Sequence, residues 1–300
     1  TVEAFERDPV DARIDVAGGT VTVSQSAEGF RFVPEAAATQ LLALATGPGP
    51  REALLDGEVV TPDRSTDEAR ALQIVQPVST FTTHHRCCQS RVTNIHRFAD
   101  LVDGAVIEPG ETFSLNRHVG RRTSAKGFVE GGAILRGEYI EDVGGGVSQF
   151  ATTFFNAAFF GGYHFVAYKP HSYYIDRYPV GREATLNYPN VDLAIRNNSP
   201  HGILVKTSYS ATSVTVTLWG RSWVDVEAVT GPRTNVRQPG TEVRVNPALP
   251  PGSERVVQQA GGPGFDITVT RVLRFPDGRV ERQEFFTRYE PESRIVERGP

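Results

Sequence analysis

The amino-acid sequence predicts an α+β protein that consists of a small mixed module, a larger mixed domain and an all-β module. Short runs of alternating apolar and polar residues near both ends of the chain are typical of half-buried strands. In the middle, residues 142–162 read DVGGGVSQFATTFFNAAFFGG, so a triple glycine opens directly into an apolar segment of helical length. After Val224, helix formers become scarce while proline and glycine recur. A chain of 300 residues is long enough for two or three such domains.

The first predicted domain, residues 1–77, is a small α+β module. Its strands ARIDV and TVTV are separated by two glycines and predict a hairpin. Pro34 then precedes EAAATQLLALA, a run of strong helix formers with proline in a favourable first-turn position. The glycines and prolines of residues 47–50 end this helix. A strand and a second short helix are expected to follow, at residues 54–60 and 65–71.

The second predicted domain, residues 78–222, mixes helices and strands. Apolar residues fall at helical spacing between Ile95 and Val102, and the Asp-Gly pair that follows ends this helix. Short strands with intervening glycines lead to the triple glycine and the apolar helix behind it. The alternating run SVTVTLW, residues 213–219, predicts a further strand. This domain contains nearly all of the distinctive residue chemistry.

The third predicted domain, residues 223–300, is all-β. The runs FDITVTRVLRF and RVERQEFFTRY flank an Asp-Gly turn at Asp277 and Gly278, which is a strong hairpin signal. We expect an extended module with few buried positions, one that binds or spaces rather than catalyses.

Composition excludes some classes of function. The net charge is −4, and arginines are spread among acidic residues, so we expect no nucleic-acid partner. Residues 143–168 contain no Asp, Glu, Lys or Arg, but glycines, Gln149, Asn156 and His164 interrupt this stretch. Because a bilayer core penalises these polar groups, we interpret the stretch as a buried helix and a strand. The chain contains no Met and is expected to be a trimmed piece of a longer protein.

The glycine loop is the first candidate site. Glycines allow unusual backbone paths, and the helix behind the loop directs unpaired N–H groups towards it, as in anion and oxyanion sites. Ser148 lies at the junction of loop and helix. It is either the N-cap of the helix, for which serine is a preferred residue, or a nucleophile.

The adjacent pair Cys87 and Cys88, in the run HHRCC, is the second candidate. Neighbouring cysteines can form a strained vicinal disulfide, remain buried thiols that shape a loop, bind a metal, pair with another chain, or supply a nucleophile. Structural zinc sites draw on pairs separated by two to four residues and on a second distant pair. The pattern therefore predicts no metal and no other cofactor.

Seven sequence blocks, in order across residues 79–222, resemble the VanW domain family. They are RVTNI, EPGETFSLN, VGRRT, GGGVSQFATTFFNAA, HS, YPVGREAT and DLAIRN. The segment before them resembles a peptidoglycan-binding module that often precedes this domain. The segment after them is similar, more loosely, to the "G-five" (G5) β-module of cell-wall proteins. The resemblance implies an extracytoplasmic bacterial protein at the cell wall or surface, anchored to the membrane by a segment outside these 300 residues.

The resemblance also implies a chemistry, because some family members are implicated as L,D-transpeptidases with an acyl-cysteine intermediate. Their glycine loop reads GGGVCQ, and this chain has Ser148 in place of that cysteine. His171, in the HS block, is the implied base. Cys87 or Cys88 could replace the missing thiol if either lies across the cleft from His171. The implied substrate-binding residues are Asn94, Arg122, Gly144, Gly145, Gly146, Gln149, Arg182 and Thr185.

Taken together, the sequence predicts a protein that binds peptidoglycan stem peptides, and glycan in addition, through a transpeptidase-like cleft with weak or no catalysis. The alternative is an active L,D-transpeptidase-like acyl-transferase that uses Ser148 or a cysteine with His171. The family is named after a glycopeptide-resistance gene cluster, an association that supplies no mechanism for this chain.

Overall fold

The computed structural model describes residues 6–48, 52, 56–135 and 138–300, and the side chains of residues 133–135, 138 and 139 are not described. The contacts divide the chain into two compact units, residues 1–75 and 76–300. The predicted α+β class is confirmed. In the described part of the chain, no helix is both long and apolar enough to span a bilayer.

In its described residues, the first unit contains two antiparallel strand pairs and two helices. The predicted hairpin is formed by β1 (Ile14–Ala17) and β2 (Thr20–Val23), and β3 (Gly29–Phe32) pairs with β4 (Gly57–Val60). Helix α1 (Pro34–Thr46) begins with Pro34 in its first turn, as predicted. Helix α2 (Thr66–Ala71) begins at a capping box, in which Ser65 and Glu68 bond each other's backbone N–H groups. The predicted strand over residues 54–60 corresponds to β4, and residues 54 and 55 of that prediction lie outside the described residues.

The second unit begins with a mixed region whose elements surround one buried helix. Its helices are α3 (Ser90–Val102), α4 (Leu115–Val119) and α5 (Ser148–Phe160), with a 3₁₀ turn at Ser124–Lys126. A four-stranded antiparallel sheet has the order β5-β13-β12-β6, and a three-stranded sheet has the order β10-β11-β7. A separate hairpin, β8-β9, leads into the glycine loop. The strands are β5 (Gln76–His84), β6 (Val106–Ile107), β7 (Thr112–Ser114), β8 (Glu130–Leu135), β9 (Glu138–Val143), β10 (His164–Ala167), β11 (Ala194–Arg196), β12 (Ile203–Ser210) and β13 (Ser213–Gly220).

Helix α5 forms the centre of the core, as its apolar sequence predicts. Phe150, Phe154, Phe155 and Phe159 are all fully buried. Complete burial of one such side chain contributes about 1.5–3 kcal/mol. The hydroxyl of Ser79 in β5 donates to the carbonyl of Ala157 at 2.7 Å, which ties the helix to the four-stranded sheet. The helix that follows the glycine loop is therefore both buried and bonded to the sheet.

The strands after residue 223 form two sheets. The larger has the order β14-β18-β15, with β19 also paired to β18, and the smaller has the order β16-β20-β17. The predicted hairpin is confirmed, since β18 and β19 flank the Asp-Gly turn in antiparallel register. The strands are β14 (Asp225–Thr230), β15 (Thr234–Arg237), β16 (Thr241–Val245), β17 (Glu254–Gln258), β18 (Gly264–Arg274), β19 (Val280–Tyr289) and β20 (Arg294–Arg298).

Strand β18 is much more buried than the sequence led us to expect. Eight of its eleven residues are buried, because the strand packs against the mixed region. Val269 and, from β19, Phe285 belong to the same apolar cluster as α5. Arg271 is 1% exposed, and its Nη1 donates to the carbonyls of Phe159 and Tyr163 at the end of α5, at 3.2 and 3.0 Å. These two bonds join the β-module to the helix. A positive charge is also favourable at a helix C-terminus.

Candidate active site

A cleft of about 830 Å³ lies at the start of α5. It is bounded by the beginning of α3, the segment after α4, the β8-β9 hairpin, the glycine loop and the segment 171–188. Of the predicted site residues, the cleft is lined by Gly144, Gly145, Gly146, Ser148, Arg122, His171 and Thr185. Its volume falls in the range of small-molecule and peptide sites.

The backbone path of the glycine loop explains why three glycines occur in a row. Gly144 and Gly146 have φ of +89° and +93°, a region that favours glycine. A Cβ at Gly144 would lie 2.7 Å from the Cβ of Arg122, and one at Gly146 would lie 2.7 Å from the Cβ of Arg91. A Cβ at Gly145 would overlap the carbonyl oxygen of Gly131 in β8. Two arginines and one strand thus lie directly against the loop.

Asn94 and Gln149 hold this loop from behind and do not line the cleft. Both side chains are fully buried. The Asn94 amide donates to the carbonyls of Val129 and Gly145 at 2.8 and 2.9 Å. The Gln149 amide donates to the carbonyl of His84 at 2.8 Å. These two side chains therefore hydrogen-bond to the protein backbone and hold the loop in place.

His171 is oriented by a carboxylate that the sequence analysis missed. Its Nδ1 lies 2.6 Å from Oε2 of Glu183, and the two side chains are 7% and 1% exposed. An ionised carboxylate only accepts hydrogen bonds, so Nδ1 carries the proton and Nε2 is left as the basic nitrogen. The ring also packs against Tyr178, with centroids 5.4 Å apart. This histidine is held in the orientation and tautomer that general-base catalysis requires.

Ser148 is the first residue of α5, but its side chain does not cap the helix. Val147 occupies the N-cap position, and no side-chain capping bond is formed there. The Ser148 hydroxyl instead accepts from the backbone N–H of Leu186 at 3.1 Å. Over the residues that the structure describes, it makes no hydrogen bond to His171. The hydroxyl thus lines the same cleft as His171 without a base bonded to it.

Arg122 is a buried guanidinium in the wall of the cleft. The residue is 8% exposed, and its Nη1 donates to Oδ1 of Asn116 at 2.6 Å. Its Nε and Nη2 have no hydrogen-bond partner within the described chain. The guanidinium lies 5.1 Å from the ring centre of Phe98 and 5.9 Å from that of Tyr188. Burial lowers the pKa of Arg122 to about 10, so the group remains charged at neutral pH.

The cleft as a whole is cationic. Arg91, Arg121 and Arg177 line it in addition to Arg122, whereas Asp142 is the one acidic residue among the described lining residues. Arg177 lies over the ring of Tyr178, 4.9 Å from its centre. Burial lowers the pKa of Arg91, and the hydroxyl of Tyr178 opposes that effect. Such a lining favours an anionic ligand.

Three further residues predicted for the site do not line the cleft. Arg182 lies over the rings of Phe159 and Phe160, at 5.7 and 5.0 Å, and burial lowers its pKa. Cys87 and Cys88 are exposed free thiols whose Sγ atoms lie 2.7 Å apart. Both thiols are exposed, so they do not form a buried pair. In the described ranges, no group of three or more His, Cys, Asp or Glu side chains is arranged to hold a metal ion.

The residues that sequence reasoning missed are Arg91, Arg177, Tyr188 and Glu183. A signal for Glu183 was present, since it stands beside Arg182 in the YPVGREAT block. Sequence order did not show that Glu183 faces His171 while Arg182 faces the phenylalanines.

Two family models match the part of the chain that contains this site and the strands after it. The model described as VanW like protein matches residues 90–219, and the G5 domain model matches residues 230–300. The chain therefore contains a VanW-like domain followed by a G5 domain, as the sequence blocks predicted. These domains define an extracytoplasmic, cell-wall-associated protein. The peptidoglycan-binding module at the N-terminus stays a prediction.

Individual proteins and structures are also similar to this chain. The uncharacterized protein YoaR of Bacillus subtilis (strain 168) is 29% identical over 213 residues, which are 71% of this chain and 69% of that protein. The G5 domain structure of IgA1 protease is 24% identical and covers 26% of this chain and 87% of its own, with a TM-score of 0.16. The crystal structure of HP0197-G5 is 22% identical and covers 25% of this chain and 95% of its own, with a TM-score of 0.14.

Proposed function

We propose that the VanW-like domain binds peptidoglycan stem peptides in this cleft and that Arg122 receives a free carboxylate of the peptide. The observation that carries the proposal is the state of Arg122, a buried and charged guanidinium with two nitrogens, Nε and Nη2, whose N–H bonds lack a partner in the described chain. An unpaired buried charge is costly, and a carboxylate offers two oxygens that match the geometry of the fork.

The charge of the cleft supports the same class of ligand. Four arginines face one aspartate among the described lining residues. Peptidoglycan stem peptides carry free carboxylates and are anionic. The cleft is large enough for more than one residue of such a peptide, with Arg122 at the carboxylate and the exposed Arg121 at the rim. The G5 domain is a module of cell-wall proteins and supports contact with wall glycan as well.

Calorimetry with a synthetic stem tetrapeptide, in its free-acid form and as its C-terminal amide, tests the carboxylate assignment. We expect the wild-type chain to bind the acid more tightly than the amide. Arg122→Gln keeps a partner for Asn116 but removes the charge, and should weaken binding of the acid roughly 10- to 100-fold, the value of one charge-assisted hydrogen-bond pair. Binding of the amide should change little.

Arg121→Gln is the matched control, because it removes the same charge from an exposed residue of the same cleft. It should change the affinity by a small factor that decreases with added salt. A folded Arg122→Gln protein that still prefers the acid would contradict the role of Arg122. A wild-type chain that binds neither peptide would contradict the proposal as a whole.

Acyl transfer on the same peptides is the second candidate function. The observation that favours it is the buried His171–Glu183 pair, which resembles the base and its orienting carboxylate in acyl-transfer enzymes. In that reaction Nε2 of His171 would take the proton of Ser148 as its oxygen attacks the peptide carbonyl, and would return this proton to the departing amine as the peptide C–N bond breaks. The amine of a second peptide would then attack the acyl-serine, lose its proton to His171 and release Ser148 as the hydroxyl. Backbone N–H groups of the glycine loop would stabilise the oxyanion. The weak ionisation of a serine hydroxyl is the reason that binding is proposed first.

A further inference from the structure

The segment that carries His171 and Glu183 is fastened to the G5 domain at both of its ends. The backbone N–H of Glu290, just after β19, donates to the carbonyl of Ser172 at 2.7 Å. The backbone N–H of Gly181 donates to the hydroxyl of Tyr289, the last residue of β19, at 2.9 Å. Two consecutive residues of the G5 domain thus hold the chain beside His171 and beside Glu183.

Tyr289 is itself held rigidly. The residue is 0% exposed, and its ring packs against Phe265 and Tyr174 with centroids 5.1 and 5.5 Å apart. Arg237 donates to the backbone carbonyl of Tyr289 at 2.7 Å. The close contact continues at Gly181, where a Cβ would lie 2.9 Å from the Val269 side chain of β18. The tyrosine therefore has little freedom to move away from Gly181.

The hydroxyl proton of Tyr289 has a natural acceptor in Glu183. The hydroxyl oxygen already accepts from Gly181, so its own proton is available for a second bond. Burial, with the nearby Glu183 carboxylate as the next cause, raises the pKa of Tyr289 and keeps the phenol protonated. Oε2 of Glu183 is engaged with His171, whereas the buried Oε1 has no hydrogen-bond partner within the described residues.

We propose that the G5 domain is a working part of the site, in which Tyr289 positions Glu183 and, through it, the imidazole of His171. Tyr289 is a positioning residue, because its hydroxyl bonds the backbone of Gly181, two residues before Glu183, and does not line the cleft. The inference concerns the same cleft and rests on the proposed function only in taking that cleft as the functional site. It gives the G5 domain a role beyond binding or spacing.

Nitrogen-15 NMR of the full chain with labelled histidine tests this proposal, with His171→Gln used to assign the His171 signals. In the wild type we expect a low-field Nδ1 proton resonance from the bond to Glu183. Tyr289→Phe keeps the ring and removes the hydroxyl, and should make this proton exchange with water roughly tenfold faster or more, as expected for the loss of a hydrogen bond to a charged group.

Tyr163→Phe is the matched control. Tyr163 is 1% exposed, and its pKa is raised by burial alone, with no contribution from Glu183. The same deletion of a buried hydroxyl there should leave the His171 resonance unchanged. In a Glu183→Gln background, adding Tyr289→Phe should produce no further change, because the tyrosine acts through Glu183. The proposal would be overturned if the Nδ1 proton of His171 exchanged with water at the wild-type rate in a folded Tyr289→Phe protein.

A second variant keeps the proposal testable if Tyr289→Phe does not fold. Glu183→Gln is nearly isosteric and removes the charge that faces Tyr289, so the Cζ carbon-13 shift of Tyr289 should move while that of Tyr163 stays constant. An unchanged Tyr289 shift would overturn the proposal. Both NMR tests report on the imidazole and the phenol directly, so their outcome is independent of whether the cleft binds stem peptide.

Discussion

At the residue scale, the chemistry of the site depends on whether the side chain at position 148 carries oxygen or sulfur. A thiol at the beginning of a helix gains thiolate character from the helix dipole, and a serine hydroxyl is too far from ionisation to gain in the same way. Here the Ser148 oxygen accepts from Leu186 N–H and is not bonded to His171. If the cleft carries out the acyl transfer proposed above as the second function, serine is a weaker nucleophile for it than cysteine.

Ser148→Cys is expected to convert this site into a reactive one. The thiol would face a cleft that already contains an oriented histidine, so we expect an acyl-enzyme with stem tetrapeptides, detected as a mass increase of the intact protein. Cys87 and Cys88 are replaced by alanine in all samples, which makes residue 148 the one thiol of the chain.

The control is Ser148→Cys combined with His171→Gln, which should form the acyl-enzyme at least tenfold more slowly. If Ser148→Cys folds and forms no adduct while the wild type binds the peptide, the cleft is a binding site and the acyl-transfer alternative is wrong.

The glycine loop and the first turn of α5 are the element that gives the cleft its shape. The loop is in contact with β8 on one side and with the stems of Arg91 and Arg122 on the other. The Asn94 amide bonds both Val129, the residue just before β8, and Gly145 of the loop. A displacement of the loop would therefore also displace the hairpin and the two arginines.

Gly145→Ala tests this coupling. The new Cβ would overlap the carbonyl oxygen of Gly131, so the loop must separate from the hairpin. We expect a loss of unfolding free energy of about 1–3 kcal/mol, typical of overpacking at a tight contact, together with loss of peptide binding. Urea unfolding and calorimetry measure the two effects.

Gly132→Ala is the control for this change, since Gly132 lines the same cleft and a Cβ there would meet nothing within 4 Å. It should leave stability within about 0.5 kcal/mol of the wild type. If both alanine variants changed the unfolding free energy and peptide binding equally, the contact between Gly145 and Gly131 would not be what holds the loop in position.

At the scale of the whole molecule, the VanW-like and G5 domains behave as one unit because they share a core. Val269 and Phe285 pack in the cluster of α5, and Arg271 bonds the end of that helix. The G5 part has a polar cluster of its own, in which Asp266 is bonded by Arg288 at 2.8 Å and Arg237 at 3.1 Å. Hydrogen bonds from Arg288, Asn235 and Arg237 hold the pKa of Asp266 well below its usual range.

This lowered pKa predicts a loss of stability in acid. A carboxyl group whose pKa is lower in the folded state stabilises the protein above its unfolded pKa, near 3.9, and this contribution is lost as the pH falls towards the folded value. Asp266→Asn should therefore lower the unfolding free energy at pH 7, and the difference from wild type should shrink steadily below about pH 4.

Urea unfolding between pH 7 and pH 2.5 measures this difference. Asp225→Asn, an exposed carboxyl at the start of β14, is the control and should have a small effect at all pH values. A difference between Asp266→Asn and wild type that does not vary with pH would refute the assignment.

The sequence by itself determined the features that depend on local pattern. Alternation and helical spacing located the β1-β2 and β18-β19 hairpins, the helix ending at Val102 and the buried helix α5, and the triple glycine located the floor of the cleft. The motif blocks predicted the VanW-like domain, and the looser resemblance of the last segment predicted the G5 domain. These features follow from neighbouring residues, so one sequence is sufficient to predict them.

The tertiary structure alone decided which distant groups meet. Arg182 and Arg122 stand in similar blocks, yet Arg182 lies on phenylalanine rings and Arg122 faces the cleft. Glu183 follows His171 by twelve residues, and Tyr289 reaches Gly181 across more than one hundred. Such pairings depend on how loops and strands pack in three dimensions, and periodicity along the chain contains no information about them. For the same physical reason, the contribution of the G5 domain to the site became visible only in the folded chain.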